Sequence, residues 1–362
     1  MANFFEIDFL SVETKKSGDA ITIRYEIDGM TRIHVVDGGF QSTGLSVVQH
    51  VKQHYGVDSY IDHVVVTHPD GDHAGGLRTV LEEMNVGALW MLRPWIHAAE
   101  LIDRFETYNS IERLAGRLKS AYPNLSALEE IAERRGIPIY EPFQGERIGD
   151  FAVLAPTKRR YLDLVVESEK TPEAVEEEAS ATTKAESFFE SVLAKVVNLV
   201  KAAWGEEVFS TQETSAENEM SVIQYANLCG KRVLLTGDAG RGALAEAADY
   251  APFVGLQLPG IDRIQVPHHG SRKNVSTELL DRWLGPRLSA KPSEGQETFT
   301  AIVSSALEDK DHPRKSVVRA FVHRGAKVIA TEGQSTRTGH NAPAREGWVA
   351  AKPIAYPDQQ ED

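Results

Sequence analysis

The chain has 362 residues, 53 acidic against 39 basic side chains, a net charge of −14 and 41% apolar residues, the composition expected of a globular protein. No stretch reaches the roughly 20 apolar residues that cross a bilayer, and MANFFEIDFLSVE places acids where a signal peptide needs a basic end, so a cytoplasmic location without membrane contact is expected. The single cysteine, Cys229, excludes an intrachain disulfide and a multi-cysteine zinc site, so any metal must be held by His, Asp and Glu.

FFEIDFLSV, ITIRYEIDG and TRIHVVDGG alternate with the period of strands and predict an opening β-meander. Val47, Val48 and Val51 suit a short helix over 46–55, and DHVVVTH reads as a buried strand. RTVLEEM is helical, ALWML strand-like, residues 96–135 mostly helical, and FAVLAP a strand that Pro156 stops. Residues 163–217 hold 13 acidic and 4 basic side chains, a net of −9, which leaves only −5 for the other 307 residues. The acidity is therefore local, and residues 158–217 read as an acidic helical insertion within one domain spanning 1–362. Within it, TPEAVEEEASATT reads as mobile, while Phe188, Phe189, Val192, Leu193, Val196, Val197, Val200 and Trp204 mark one face of an amphipathic helix. That face packs on the protein's own core or, through residues 182–204, on a protein partner. Strands return in SVIQYANL, RVLLTGD, DRIQVPHHGS, TAIVSS and AKVIAT.

The chemistry concentrates at strand ends. VVVTHPDGDHAGGL places His68, Asp70, Asp72 and His73 directly after an apolar strand. Four donors in six residues before a Gly-Gly turn are costly to bury unless a cation binds them. VLLTGD ends in Asp238 and IQVPHHGS in His268 and His269, so three strand ends point to one metal site. The remaining histidines His34, His50, His54, His63, His323 and His340 match no ligand spacing and read as structural or surface residues.

These residues resemble the metallo-β-lactamase fold hydrolases and, within them, the branch containing the DNA-processing domain of the competence protein ComEC/Rec2. The likeness rests on Gly18-Asp19-Ala20, Asp37-Gly38-Gly39, His68-Pro69-Asp70-Gly71-Asp72-His73, Asn218 with Ser221 through Gly237-Asp238, His268-His269-Gly270-Ser271 and His312-Pro313. It implies an α/β fold, a four-layer αβ/βα sandwich, with two divalent metal ions in a cleft at the sheet edges. By motif, His68 and Asp70 would hold one ion, Asp72 and His73 the other, and Asp238 would bridge them. One of His268 and His269 would complete the second, with His268 slightly favoured. The family's usual third-motif histidine has one counterpart to choose from, since His97 is the only histidine between His73 and Asp238, and it would be that ligand or line the active site. Asp70 in place of the family's middle histidine shifts the expected metal from zinc toward manganese.

Such a pair of cations acidifies water for hydrolysis. Asp72 or Asp238 would orient the nucleophile, and His312 would protonate the leaving oxygen. Arg272 and Lys273 beside Ser271, and Arg314 and Lys315 beside His312, suit an anionic substrate. A phosphodiesterase or nuclease acting on DNA, RNA or nucleotides is the leading expectation. A hydrolase of small lactones, thioesters or phosphoesters is the second, and a partner-docking module with a degenerate site the third.

Overall fold

A computed structural model describes residues 3–172 and 202–360. The meander forms as β1 (Phe4–Phe9), β2 (Ala20–Ile27) and β3 (Met30–Gly38). Buried strands β4 (Tyr60–Val65), β5 (Asn85–Trp90) and β6 (Ile139–Tyr140) follow. A second series comprises β7 (Arg147–Ile148), β8 (Phe151–Ala155), β9 (Ile223–Leu228), β10 (Lys231–Leu235), β11 (Arg263–Gln265), β12 (Phe299–Val303) and β13 (Ala326–Ala330); β14 (Thr336–His340) returns to the first sheet. The two seven-stranded sheets run β14-β1-β2-β3-β4-β5-β6 and β13-β12-β11-β10-β9-β8-β7. In each, an antiparallel part gives way to a parallel one, at β3/β4 and at β10/β11.

Helices Gly44–His54, Leu77–Glu83, Ile111–Ala121 and Pro123–Arg135 share one apolar core with the first sheet. Arg241–Tyr250, Thr277–Leu284 and Lys315–His323 share another with the second sheet. The expected αβ/βα sandwich is therefore formed. Of the strands, the short β6 and β7 and the polar β14 were not expected, and the mostly helical reading of 96–135 resolves into separate helices. Pro123 opens a new helix and disfavours helical geometry at Tyr122, whose φ and ψ are −121° and 68°. Gly136, at φ 68°, then ends that helix. The mobile reading of 171–183 and the amphipathic face up to Val200 lie almost wholly outside the described residues. Among the described residues no helix is long and apolar enough to cross a membrane.

Two buried ionic clusters tie distant segments of the chain together. Glu6 and Asp8 point away from the alternating Phe5, Ile7 and Phe9; Arg345 bonds both Asp8 oxygens at 2.8 Å, while Arg24 and Arg337 pair with Glu6. On the other sheet, Glu207 accepts from His323 Nδ1 (3.0 Å), Arg324 Nη1 (2.7 Å) and Thr277 Oγ1 (2.7 Å). Burial opposes ionisation of Glu207, but the hydrogen bonds from His323 and Arg324 outweigh it and bring its pKa to about 2. A lowered carboxyl pKa contributes stability that is complete above the unfolded value of 4.5 and lost as pH falls through about 2. In denaturant titrations, Glu207→Gln is therefore expected to be less stable than wild type by a few kcal/mol at pH 7. That gap closes between pH 4.5 and 2; a gap independent of pH would contradict the assignment.

Candidate metal centre

The topology brings the chemistry-bearing loops to one edge of the sandwich. Asp19 precedes β2, Asp37 sits near the end of β3, and the loop after β4 carries Thr67 through His73. Asp238 follows β10, His268 and His269 follow β11, and Ser304 follows β12. Ligand sites in open α/β sheets lie at these carboxyl ends. Backbone bonds lock the loops together: Asp19 N–H donates to Asp72 O, Gly39 N–H to Asp19 O, and Val222 N–H to Thr67 O across the two sheets. Gly76 packs against β3 so closely that a Cβ there would lie 2.0 Å from Gly38 O.

One buried carboxylate sets the histidine tautomers. Asp37 accepts from Thr67 N–H (2.9 Å), Thr67 Oγ1–H (2.6 Å) and His73 Nδ1 (2.8 Å). Because the Thr67 hydroxyl proton is committed to Asp37, His68 Nδ1–H donates to Thr67 Oγ1 at 3.0 Å. His269 Nδ1 lies 2.9 Å from Ser304 O, which can only accept. All three rings therefore turn a bare Nε2 inward, as in carboxylate–histidine–metal arrangements. These Nε2 atoms and Asp238 Oδ1 are buried and have no hydrogen-bond partner.

They converge on Asp238. Its Oδ1 is 3.2 Å from His73 Nε2 and 3.7 Å from His269 Nε2; its Oδ2 is 3.8 Å from His68 Nε2 and 3.5 Å from His268 Nε2. Asp72 Oδ2 lies 3.7 Å from His269 Nε2, and Asp70 Oδ2 3.9 Å from His68 Nε2. Most of these separations exceed a hydrogen bond, yet they match ligand-to-ligand distances around a tetrahedral cation, about 3.4 Å for bonds of about 2.1 Å. Donor atoms of Asp19, His73, Asp238 and His269 all lie within 4.8 Å of one another. Lys170 Nζ lies 2.6 Å from Asp70 Oδ1. The donor set therefore fits a divalent cation, since buried carboxylates need compensating charge.

The titration behaviour has the same origin. Burial disfavours the charged form of His269, but Asp238, Asp72 and Asp19 outweigh it and lift its pKa to about 9. His73 is raised likewise by Asp238 and Asp37, whereas burial and the cationic neighbours Arg314 and His269 hold His312 down despite Asp309. Protons and a metal thus compete for the inner nitrogens.

The second histidine loop is strained. His268 and His269 adopt φ of 47° and 51°, a left-handed geometry that costs a non-glycine residue roughly 1–2 kcal/mol. Gly270 continues the turn at φ 86°, where a Cβ would meet Pro313 Cβ at 2.7 Å. Gly270→Ala is expected to cost about 2 kcal/mol or more. An unchanged melting temperature would contradict the contact.

The structure brings together His68, Asp70, Asp72, His73, Asp238, His268, His269 and His312. The His312 ring stacks on His268 at 5.6 Å, with Nδ1 3.3 Å from Asp309 Oδ2. His97 is placed otherwise: Glu100 and Glu141 occupy both its ring nitrogens, at 3.0 and 2.9 Å, so neither is left for a cation. Ser271 is buried, Arg272 half-buried and Lys273 exposed. Arg314 pairs with Asp311 at 3.0 Å, and Lys315 opens the helix Lys315–His323. Asp19, Asp37 and Thr67 were not among the expected site residues. Their signal was an aspartate beside glycine at a strand end, in Gly18-Asp19 and Asp37-Gly38.

No protein-family model matches the chain, and no curated protein matches it. Among solved structures it is similar to Zn(2+)-bound PqqB from Methylobacterium extorquens, with 11% identity, 92% of this chain and 99% of that one covered, and a TM-score of 0.44. It is also similar to the Rm3 metallo-beta-lactamase, with 10% identity, 76% and 80% covered, and a TM-score of 0.32. A third is the hydrolase AbOPH of the beta lactamase superfamily, with 11% identity, 67% and 74% covered, and a TM-score of 0.30.

Proposed function

We propose that this chain is a metal-dependent hydrolase of phosphodiesters, acting on nucleotides or short oligonucleotides. The observation that carries the reading is the convergence of three bare, buried Nε2 atoms on an Asp238 carboxylate. When bound, a divalent cation supplies a Lewis acid and lowers the pKa of water toward neutrality. The oxygens of Asp70, Asp72 and Asp238 add hard donors to the imidazoles, which suits manganese as well as zinc.

The chain's own groups do the rest. Asp72 and Asp238 hold the attacking water and accept its hydrogen bonds. Asp309 receives Ser17 N–H (3.0 Å) and Oγ–H (2.7 Å) and orients His312 through Nδ1, leaving Nε2 to exchange a proton with the leaving oxygen. Ser271, Arg272, Lys273 and Arg314 lie on the two loops beside these histidines, Lys315 opens the helix that follows, and the cations among them favour an anionic substrate.

The adjoining cleft supports a second reading. It encloses about 890 Å³ beside Asp70, and its wall carries Asp163, Glu167, Glu169, Glu213, Glu217 and Glu219 against Arg160, Lys170 and Arg241. Such a wall repels a long polyanion and favours a small lactone, thioester or phosphoester. The test is hydrolysis of bis(p-nitrophenyl) phosphate, single- and double-stranded DNA, RNA, a lactone and a thioester by metal-stripped protein resupplied with Mn²⁺, Zn²⁺ or Mg²⁺. Metal-dependent cleavage of the phosphodiester or oligonucleotides is expected. Cleavage of only the lactone or thioester would establish the second reading, and no cleavage with any metal would overturn both.

A further inference from the structure

The cleft beside Asp70 is joined to the metal centre twice. Asp70 belongs to the histidine loop after β4, and Glu217 immediately precedes Asn218, whose side-chain amide lies 3.0 Å from His268 Nδ1. The cations of the cleft are already engaged: Arg160 pairs with Glu219 at 2.8 Å, Lys170 with Asp70 at 2.6 Å, and Arg241 donates to the carbonyls of Ser210, Thr211 and Gln212. Glu217 has no ion-pair partner among the described residues, although it is only 5% exposed. The single hydroxyl proton of Ser168 goes to its Oε1, since Ser168 Oγ itself accepts from the Tyr122 hydroxyl (3.2 Å) and from Lys170 N–H (3.1 Å). Oε2 is left without a partner among the described residues, in a side chain that lines the cleft. A carboxylate buried in this way lacks its compensating charge.

We infer that this cleft takes a protonated primary amine, held by Glu217 Oε2, and that the substrate is a small phosphodiester whose alcohol part carries that amine. A metal ion does not suit the place: among the described residues the one group of three or more donors close enough to share an ion is that of Asp19, His73, Asp238 and His269, outside the cleft's walls. Among the described residues no aromatic side chain lines the cleft, whereas quaternary ammonium ions are held by aromatic cages. A guanidinium pairs best with both oxygens of one carboxylate, and Ser168 occupies one of the two on Glu217. An ammonium needs only single acceptors, and Lys170 on Asp70 already places one on this wall. A zwitterion also fits the surroundings. Arg272 and Lys273, beside the histidines after β11, face the phosphate's charge, and the carboxylates on the Asp70 side face the amine's. The inference rests on the phosphodiester reading above for the reaction, and on the cleft alone for amine binding.

Binding is measured by calorimetry on the full metal-stripped chain, with 1,3-diaminopropane and with its fully quaternised analogue, which has the same charge and no N–H. Hydrolysis is measured on the metal-resupplied chain with 3-aminopropyl and propyl 4-nitrophenyl phosphate, water adding to phosphorus as the bond to nitrophenolate breaks. The diamine is expected to bind about tenfold more tightly than its analogue, and the aminopropyl ester to be preferred in kcat/KM by about the same factor, mainly through KM, the effect of one hydrogen bond to a charged group. Glu217→Gln keeps an acceptor for Ser168 and is expected to remove most of both preferences. Glu213→Lys, an exposed change on the same wall that leaves the fold intact, is expected to reduce both. Diamine binding no tighter than that of the analogue, or preferences unchanged in Glu217→Gln, would overturn the proposal, while cleavage of the propyl ester would leave the hydrolase reading intact. Glu217-dependent diamine binding without cleavage of either ester under any metal would overturn the hydrolase reading and leave the amine site standing.

Discussion

Asp238→Asn is expected to abolish metal uptake and to lower hydrolysis by on the order of 10³–10⁴-fold while the chain still folds. The carboxylate is the shared element of the cluster, with four imidazole Nε2 atoms within 3.2–3.8 Å of its two oxygens. An amide of the same shape replaces one of those oxygens with an N–H donor, which cannot ligate. Cations at such centres contribute several kcal/mol of transition-state stabilisation, and each 1.36 kcal/mol is a factor of ten in rate. The fold should survive because the backbone at this position is held by other groups. Asp238 N–H donates to Ser221 Oγ at 3.1 Å, and Asn274 Nδ2 donates to Asp238 O at 2.8 Å. In metal-free protein the variant loses its attraction to protonated His73 and His269 but also its repulsion of Asp19 and Asp72. These effects oppose one another, so the metal-free melting temperature should move little. Metal content, melting temperature and rate measured on one preparation decide the matter. Full metal content with a rate within tenfold of wild type would refute the role of Asp238.

Much of this centre was legible before any coordinates because donors are expensive at the end of an apolar strand. His68, Asp70, Asp72 and His73 crowd six residues after VVVT, and no packing role accounts for four such side chains. Asp238, His268 and His269 carried the same signal more weakly, each ahead of a glycine-containing turn. Asp19 and Asp37 entered only through the family likeness and were given no place in the site, because a single aspartate beside glycine also describes an ordinary turn. What distinguishes them is tertiary: β2, β3 and β4 lie side by side, which puts Asp37 under Thr67 and His73, and Asp19 3.7–3.8 Å from the Nδ1 atoms of His73 and His269. The separate placements of His268 and His269 were likewise hidden, since they depend on two consecutive positive φ angles that sequence spacing does not reveal. His97 shows the converse. It occupied the right interval of the chain, but two glutamates absorb it.

Asp37→Asn should raise the metal concentration needed for half-maximal activity by about 10–100-fold, the usual effect of removing a carboxylate behind a ligating histidine. The direction follows from proton placement. Asp37 now accepts from His73 Nδ1 and from both Thr67 donors, which leaves Nε2 of His73, and through Thr67 that of His68, bare. An asparagine that still accepts from Thr67 N–H presents its NH₂ group to both His73 Nδ1 and Thr67 Oγ1. The ring then keeps its proton on Nε2, toward Asp238, where a cation must displace it. Backbone strain does not confuse the experiment, because Asp37 has φ 57° and asparagine tolerates that region as well as aspartate does. A fold defect would lower activity at every metal concentration. A tautomer defect moves the titration midpoint and leaves the rate at saturating metal within about tenfold of wild type. Asp37→Ala, which leaves buried donors without an acceptor, should in addition lose about 1–3 kcal/mol of stability for each donor stranded. A metal titration of Asp37→Asn that overlays wild type would show that this carboxylate does not set the histidine tautomers.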